Sequence, residues 1–316
     1  MGNITIIENN SEIAAGTRGS SLAIDAIKIA SINVNDNIFS KYPRVKIENE
    51  NHRIWENVDS LHAIRVDGVI KMYDKIVDNL LPIIKSGSFP LIISADHSNA
   101  GGSIAALKKA NPEQRIGVVW IDAHADLHSP YTTPSGNMHG MPLATALAED
   151  NMEKMINELD KETEEKWDRL KNTAGISPKI LVSDLVFVGA RSIEEAERSI
   201  IERNSIPNFT TLDLVKKGTD RILDSIFRHL SECDLIYVTF DVDSLDMELS
   251  EGTGTPVKDG LSKHQALDLI EKLVANPKVA MFELVEVNPL LDKKGNLMAE
   301  MAFESIQKVI NVIEKR

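Results

Sequence analysis

The sequence predicts an α/β fold in which a mostly parallel sheet is covered on both faces by helices. Three observations predict it. Short apolar runs of strand character alternate with stretches of helical spacing, the pattern of a buried parallel sheet. Polar residues able to do chemistry cluster where the apolar runs end, and open α/β sheets build their sites at the carboxyl ends of strands. No internal repeat or low-complexity linker divides the chain, so residues 1–316 are read as one domain.

The elements follow in order. ITII, from Ile4, is a first strand, and GTRGSS after it is a turn. Val66, Val69, Ile70, Tyr73, Ile76, Val77, Leu80, Leu81 and Ile84 keep helical spacing. LIIS (Leu91–Ser94) is a strand that opens into Asp96-His97. The apolar run around Trp120 continues into Asp122-Ala-His124-Ala-Asp126. Extended backbone would put those three ligands on one face and the two alanines on the other. Residues 151–175 read as a helical insertion, dense in charge, with Trp167 in need of burial at the cleft mouth or against a neighbouring subunit. A strand near Leu181 and a helix from about Ser192 come next. LIYVTF (Leu235–Phe240) is a strand ending in Asp241-Val-Asp243, and a helical stretch (Leu261–Val274) leads to the strand MFELVEV. Ala302–Ile313 closes the chain as a helix.

Three strand ends carrying carboxylate or imidazole make a site where one would be chance. His97, Asp122, His124, Asp126, Asp241 and Asp243 supply four carboxylates and two imidazoles. Carboxylates brought that close repel unless a cation lies between them or one keeps its proton. The absence of thiolate from the set argues against structural zinc or an iron–sulfur cluster. Oxygen-rich ligation with a minority of histidine suits manganese, with cobalt, iron or nickel also compatible. Six ligands are many for one ion and natural for two about 3.5–4 Å apart, a pair that can hold hydroxide near neutral pH. Metal-assisted hydrolysis is the chemistry this predicts.

The quartet SADHS, WIDAHAD, FDVDS and ELVEVNP resembles the ureohydrolases, and TTPSGNMHGMP (Thr132–Pro142) resembles arginases in particular. The resemblance implies a three-layer αβα sandwich, two Mn²⁺ ions (Co²⁺ also compatible), and hydrolysis of the L-arginine guanidinium to L-ornithine and urea by a metal-bridging hydroxide. It assigns the same six ligands. It also implies that Asp126 directs the hydroxide, that His139 protonates the leaving amine, and that Glu286 orients the guanidinium. By residue type alone His139 reads as a turn histidine held by backbone. Glu283 and Glu286 would face opposite ways in a strand, so one of them reaches the cleft.

The amino-acid end departs from the arginase pattern. His128 stands where arginases carry a carboxylate-binding asparagine; Ser135 matches the serine that joins it there. Asn137 is read with them, although turn formation also explains it, as it does Thr255. Glu194 matches the acid that grips the α-amino group, and reads equally well as a surface charge on its helix. Ser94-Ala95 replaces a glycine pair and Met247 a proline, changes expected to alter loop packing and to spare the metal. Agmatine, guanidinobutyrate or formiminoglutamate are the alternative substrates, and a non-catalytic metal-binding paralogue is the more distant alternative. The family's assembly into trimers and hexamers implies a homo-oligomer.

Composition is consistent with this. Hydrophobic content of 42% and charged content of 26% are ordinary for a soluble globule. A net charge of −13 disfavours nucleic acid or an anionic membrane as partner. Cys233 is the only cysteine, which suits a reducing cytoplasm. The start, MGNITIIENNSE, lacks a secretory pattern, and no apolar run reaches membrane-spanning length.

Overall fold

The strand-like runs pair into one eight-stranded sheet, parallel throughout, in the order β2-β1-β3-β8-β7-β4-β5-β6. The computed structural model describes residues 3–58 and 60–316; Met1 and Gly2, where the reading of the N-terminus begins, lie outside them. The strands are β1 (Ile4–Asn9), β2 (Arg44–Ile47), β3 (Phe89–Ser94), β4 (Ile116–Ile121), β5 (Leu185–Val188), β6 (Asn208–Phe209), β7 (Leu235–Asp241) and β8 (Val279–Val285).

Two cores sandwich the sheet because successive side chains of each strand point to opposite faces. In β4, Val119 and Ile121 join the helices Ala23–Asn33, Thr219–His229, Lys263–Val274 and Leu297–Ile313, while Val118 and Trp120 join the helices Val66–Lys85, Ala100–Ala110 and Pro142–Leu147. Every residue of β3 and β4 is buried, which accounts for their uninterrupted apolar sequence. The three-layer α/β architecture is the one the sequence predicts.

The charged segment after Asn151 forms a short turn (Met152–Lys154) and a helix (Lys161–Lys171). An aspartate cap starts this helix, Asp160 accepting from the Thr163 amide. Its polar face is solvated, but Trp167 and Leu170 are fully buried in the second core. The Trp167 indole N–H donates to Asp150 Oδ1 at 2.7 Å. Trp167 is therefore buried within its own chain, and not at the cleft mouth or against a neighbour as expected.

The order of the sheet places the site. β3, β8, β7 and β4 are adjacent at its centre, and their carboxyl ends carry His97, Glu286, Asp241 with Asp243, and Asp122 to Asp126. Among the described residues no helix is long and apolar enough to cross a membrane.

Candidate active site

His97 starts a 3-10 turn three residues after the last of β3, and its buried ring lies among the other ligands. Its Nε2 pairs with Thr239 Oγ1 at 2.9 Å. With Nε2 donating there, Nδ1 keeps a lone pair. That Nδ1 has no hydrogen-bond partner among the described residues. Three carboxylate oxygens face it: Asp122 Oδ2 at 3.0 Å, Asp126 Oδ2 at 3.1 Å and Asp241 Oδ2 at 3.2 Å. An imidazole nitrogen and three carboxylate oxygens converging in a buried space fit a cation.

A second cluster adjoins the first. His124 Nδ1 lies 3.0 Å from Asp243 Oδ2 and 3.5 Å from Asp122 Oδ1, so Asp122 turns one oxygen towards each histidine. Thr255, which turn formation by itself would also explain, donates its hydroxyl to Asp243 Oδ2 at 2.9 Å. Burial pushes Asp126 up to about 7, reinforced by the neighbouring Asp122 carboxylate. Burial also raises Asp241 and Asp243, with Asp243 and Asp122 respectively adding to the effect. Carboxylates so placed cannot all ionise without positive charge between them, and two cations would supply it.

The ligands converge by a different local geometry from the one expected. β4 ends at Ile121, so Asp122, His124 and Asp126 belong to the loop beyond it. Asp126 has φ 50°, and Glu286, just past β8, has φ 68°. Left-handed backbone at a residue with a side chain costs about 1–3 kcal/mol and persists only where surrounding structure imposes it. Here it turns two carboxylates into one cleft.

That cleft has a volume of about 330 Å³ and is lined by His97, His124, Asp126, Asp241, Asp243, His139 and Glu286, among others. Glu286 Oε1 accepts from the His97 amide at 2.8 Å. Burial, and then Asp96, raise its carboxyl well above the usual range. Glu283 lies beneath the site, fully buried, bonded to Ser94 Oγ at 2.5 Å and the Tyr237 hydroxyl at 2.7 Å. His139 is held by its amide to Ala14 O at 3.3 Å, and its Nδ1 stands 4.0 Å from Glu286 Oε1. Desolvation by the cleft walls, then the neighbouring imidazoles, push His139 down to about 4. Its proton is therefore lost well below the usual 6.5 of an isolated imidazole.

The far end of the cleft holds Ser135, Asn137, His128 and Glu194. Gly136 sets the turn that presents the first two: its φ is 75°, and a Cβ there would stand 1.9 Å from the Leu61 carbonyl oxygen. Ser135 Oγ accepts from the Asn137 amide at 3.2 Å. His128 pairs through Nδ1 with Thr132 Oγ1 at 3.1 Å. Its Nε2 is buried, 3.5 Å from Glu194 Oε2 and 3.8 Å from Glu197 Oε2, and turns towards those acids. Glu194 caps the helix Glu195–Arg203 and remains largely exposed.

Sequence reasoning passed over Glu197. Its carboxylate is buried and accepts from the amides of Leu127 (3.1 Å) and Glu194 (3.0 Å), joining the metal loop to the end of the cleft. The signal was present, because a glutamate three residues after a helix cap is half of a capping box.

The chain is similar to known proteins over nearly its whole length. The chain is 31% identical over 319 residues to an arginase of Brevibacillus brevis, covering 97% of each. A crystal structure of arginase from Bacillus subtilis superposes with a TM-score of 0.81 at 29% identity, covering 98% of both chains. That of Entamoeba histolytica arginase in complex with L-ornithine gives 0.83 at 26% identity, again over 98% of both. The arginase family model itself matches residues 3–311, and this chain belongs to the arginase family.

Proposed function

We propose that the chain hydrolyses the guanidinium group of L-arginine to L-ornithine and urea. The observation that carries the reading is the convergence of Asp122, Asp126 and Asp241 on the free Nδ1 of His97, in one cleft with Glu286 and His139. His97, Asp122, His124, Asp126, Asp241 and Asp243 would hold two ions, Mn²⁺ by ligand chemistry and Co²⁺ as a substitute. When bound, the ions supply Lewis acidity and lower the pKa of water.

The protein's own groups do the rest. Glu286 accepts the guanidinium N–H groups and turns the planar carbon towards Asp126. Asp126, whose Oδ2 stands 3.1 Å from His97 Nδ1, accepts a hydrogen bond from the attacking water and fixes its direction. The proton given up by the attacking water passes by way of Asp126 to neutral His139, which hands it to the departing ornithine nitrogen as the C–N bond breaks. Ser135 and Asn137 face the substrate's α-carboxylate, and Glu194 its α-ammonium. The same reading takes residues 1–316 as one domain with a helical insertion at about 151–175. It takes the assembly as a homo-oligomer, a trimer or hexamer, and the compartment as the cytoplasm.

His128 favours a second reading, activity on agmatine. Its Nε2 faces Glu194 and Glu197 and not open cleft, so the carboxylate end loses a donor while the acid at the ammonium end is retained. Agmatine keeps the ammonium and lacks the carboxylate. Urea release by protein loaded with Mn²⁺ or Co²⁺, offered L-arginine or agmatine, tests both readings. Turnover of arginine supports the first, turnover of agmatine alone supports the second, and turnover of neither overturns both.

A further inference from the structure

Arg191 follows β5 and has no role in the mechanism above, yet its half-buried guanidinium makes more hydrogen bonds than any ligand of the site. Nε donates to Lys258 O at 2.7 Å. Nη1 donates to Gly189 O at 3.1 Å and Ser244 O at 3.3 Å. Nη2 donates to Asp243 O at 3.1 Å, Leu245 O at 3.3 Å and Val257 O at 2.9 Å. Every acceptor is a backbone carbonyl, and no carboxylate pairs with this cation among the described residues.

The carbonyls belong to three segments. Two of them, around Ser244 and Val257, are also joined by the backbone bonds Met247 N–H to Val257 O at 3.2 Å and Leu261 N–H to Ser244 O at 2.9 Å, and Arg191 ties the third, at Gly189, to both. Asp243 to Leu245 carry the outer metal ligand. Val257 and Lys258 belong to the loop whose Thr255 donates to Asp243. Gly189 leads to Ser192 and Glu194 at the far end of the cleft. The backbone amides of Arg191 and Ser192 also clip onto Ala123 O, at 2.8 and 2.9 Å, inside the motif that supplies Asp122 and His124. A planar fork of five N–H groups can bridge several fixed carbonyls at once, and the compact ammonium of lysine cannot.

We propose that Arg191 is a positioning residue that fixes the outer metal ligand Asp243 relative to the amino-acid end of the cleft. The proposal rests on the metal and substrate reading given above. In the full-length chain, R191M and R191K are compared with the parent by Co²⁺ binding in competition with a chromophoric chelator, by kcat and KM for L-arginine, and by thermal melting. R191M is expected to bind Co²⁺ about 10–100-fold more weakly, the usual effect of removing a group that orients ligands, with KM raised at least about tenfold. R191K, which restores part of the carbonyl contacts, is expected to fall between and to carry the test if R191M does not fold.

A lowered melting temperature with parental Co²⁺ affinity and parental KM in the folded variants would mean Arg191 is structural only, and the proposal fails. So does a lysine variant identical to the parent in both affinity and KM. A parent that neither binds metal nor releases urea refutes the reading of the site instead, so the two failures are told apart.

Discussion

The Trp120 indole N–H donates to Asp122 Oδ2 across 2.9 Å, and the same ring stacks on His97, centroids 4.1 Å apart and planes 9° from parallel. Asp122 and His97 lie just beyond the ends of β4 and β3, which two other strands separate in the sheet. One fully buried side chain thus fixes two ligands of the same cluster. Groups that orient ligands typically change metal affinity by about 10–100-fold when removed. W120F keeps the stack and loses the donor, so it should weaken metal binding towards the lower end of that range while the chain stays folded. Metal titration alongside circular dichroism checks this; unchanged affinity would leave Trp120 a packing residue.

Ligand and proton carrier should separate cleanly by mutation. D243A removes a carboxylate that faces His124 at 3.0 Å, so bound metal and urea release should fall together. H139A removes a group that touches no proposed ligand oxygen, so it should keep its metal and lose about 10²–10⁴-fold in kcat, the usual scale of acid–base assistance. Elemental analysis of each variant beside its rate decides. An H139A variant as active as the parent would refute the proton relay.

The ligands were legible because their chemistry contrasts with what surrounds them. Asp241 and Asp243 stand at the end of a strand whose first six residues are apolar but for Thr239, and His97 comes three residues after a buried strand, so the sheet itself announced the site. What the alternating pattern misplaced was the path of the chain. Asp126 and Glu286 reach the cleft through left-handed backbone, which period-two reasoning has no means to foresee. Arg191 was illegible for another reason. Its partners are carbonyls, which every residue carries, so no side-chain spacing marks them. Trp167 was legible as a residue needing burial, but the site of its burial depended on how the helix Lys161–Lys171 packs on Val66–Lys85.

Selectivity between arginine and agmatine should turn on His128. H128N shortens the side chain, withdraws a nitrogen from Glu194 and Glu197, and offers an amide N–H to the cleft. The ratio of kcat/KM for arginine over agmatine should rise about tenfold, the effect of roughly 1.4 kcal/mol. Steady-state kinetics with both substrates measures it, and an unchanged ratio would remove His128 from substrate choice.

Lys179 gives the chain a stability that depends on pH well away from the cleft. Its ammonium is buried, donating to Lys171 O at 2.7 Å and Thr145 O at 3.3 Å, near the last turns of two helices. No carboxylate accompanies it among the described residues, and burial pulls it down from 10.5 to about 8. Between those values the unfolded chain binds the proton and the folded chain does not, so stability rises as pH climbs from about 8 to about 10.5. At about 1.4 kcal/mol for each step of one in pH, the gain amounts to about 3 kcal/mol at most. K179M lacks this group and should not share the gain. Melting the parent and K179M side by side from pH 7.5 to 10.5 should therefore show their difference in stability moving in the parent's favour. A difference that stays constant across that range would mean that Lys179 is already neutral, or keeps its charge, throughout.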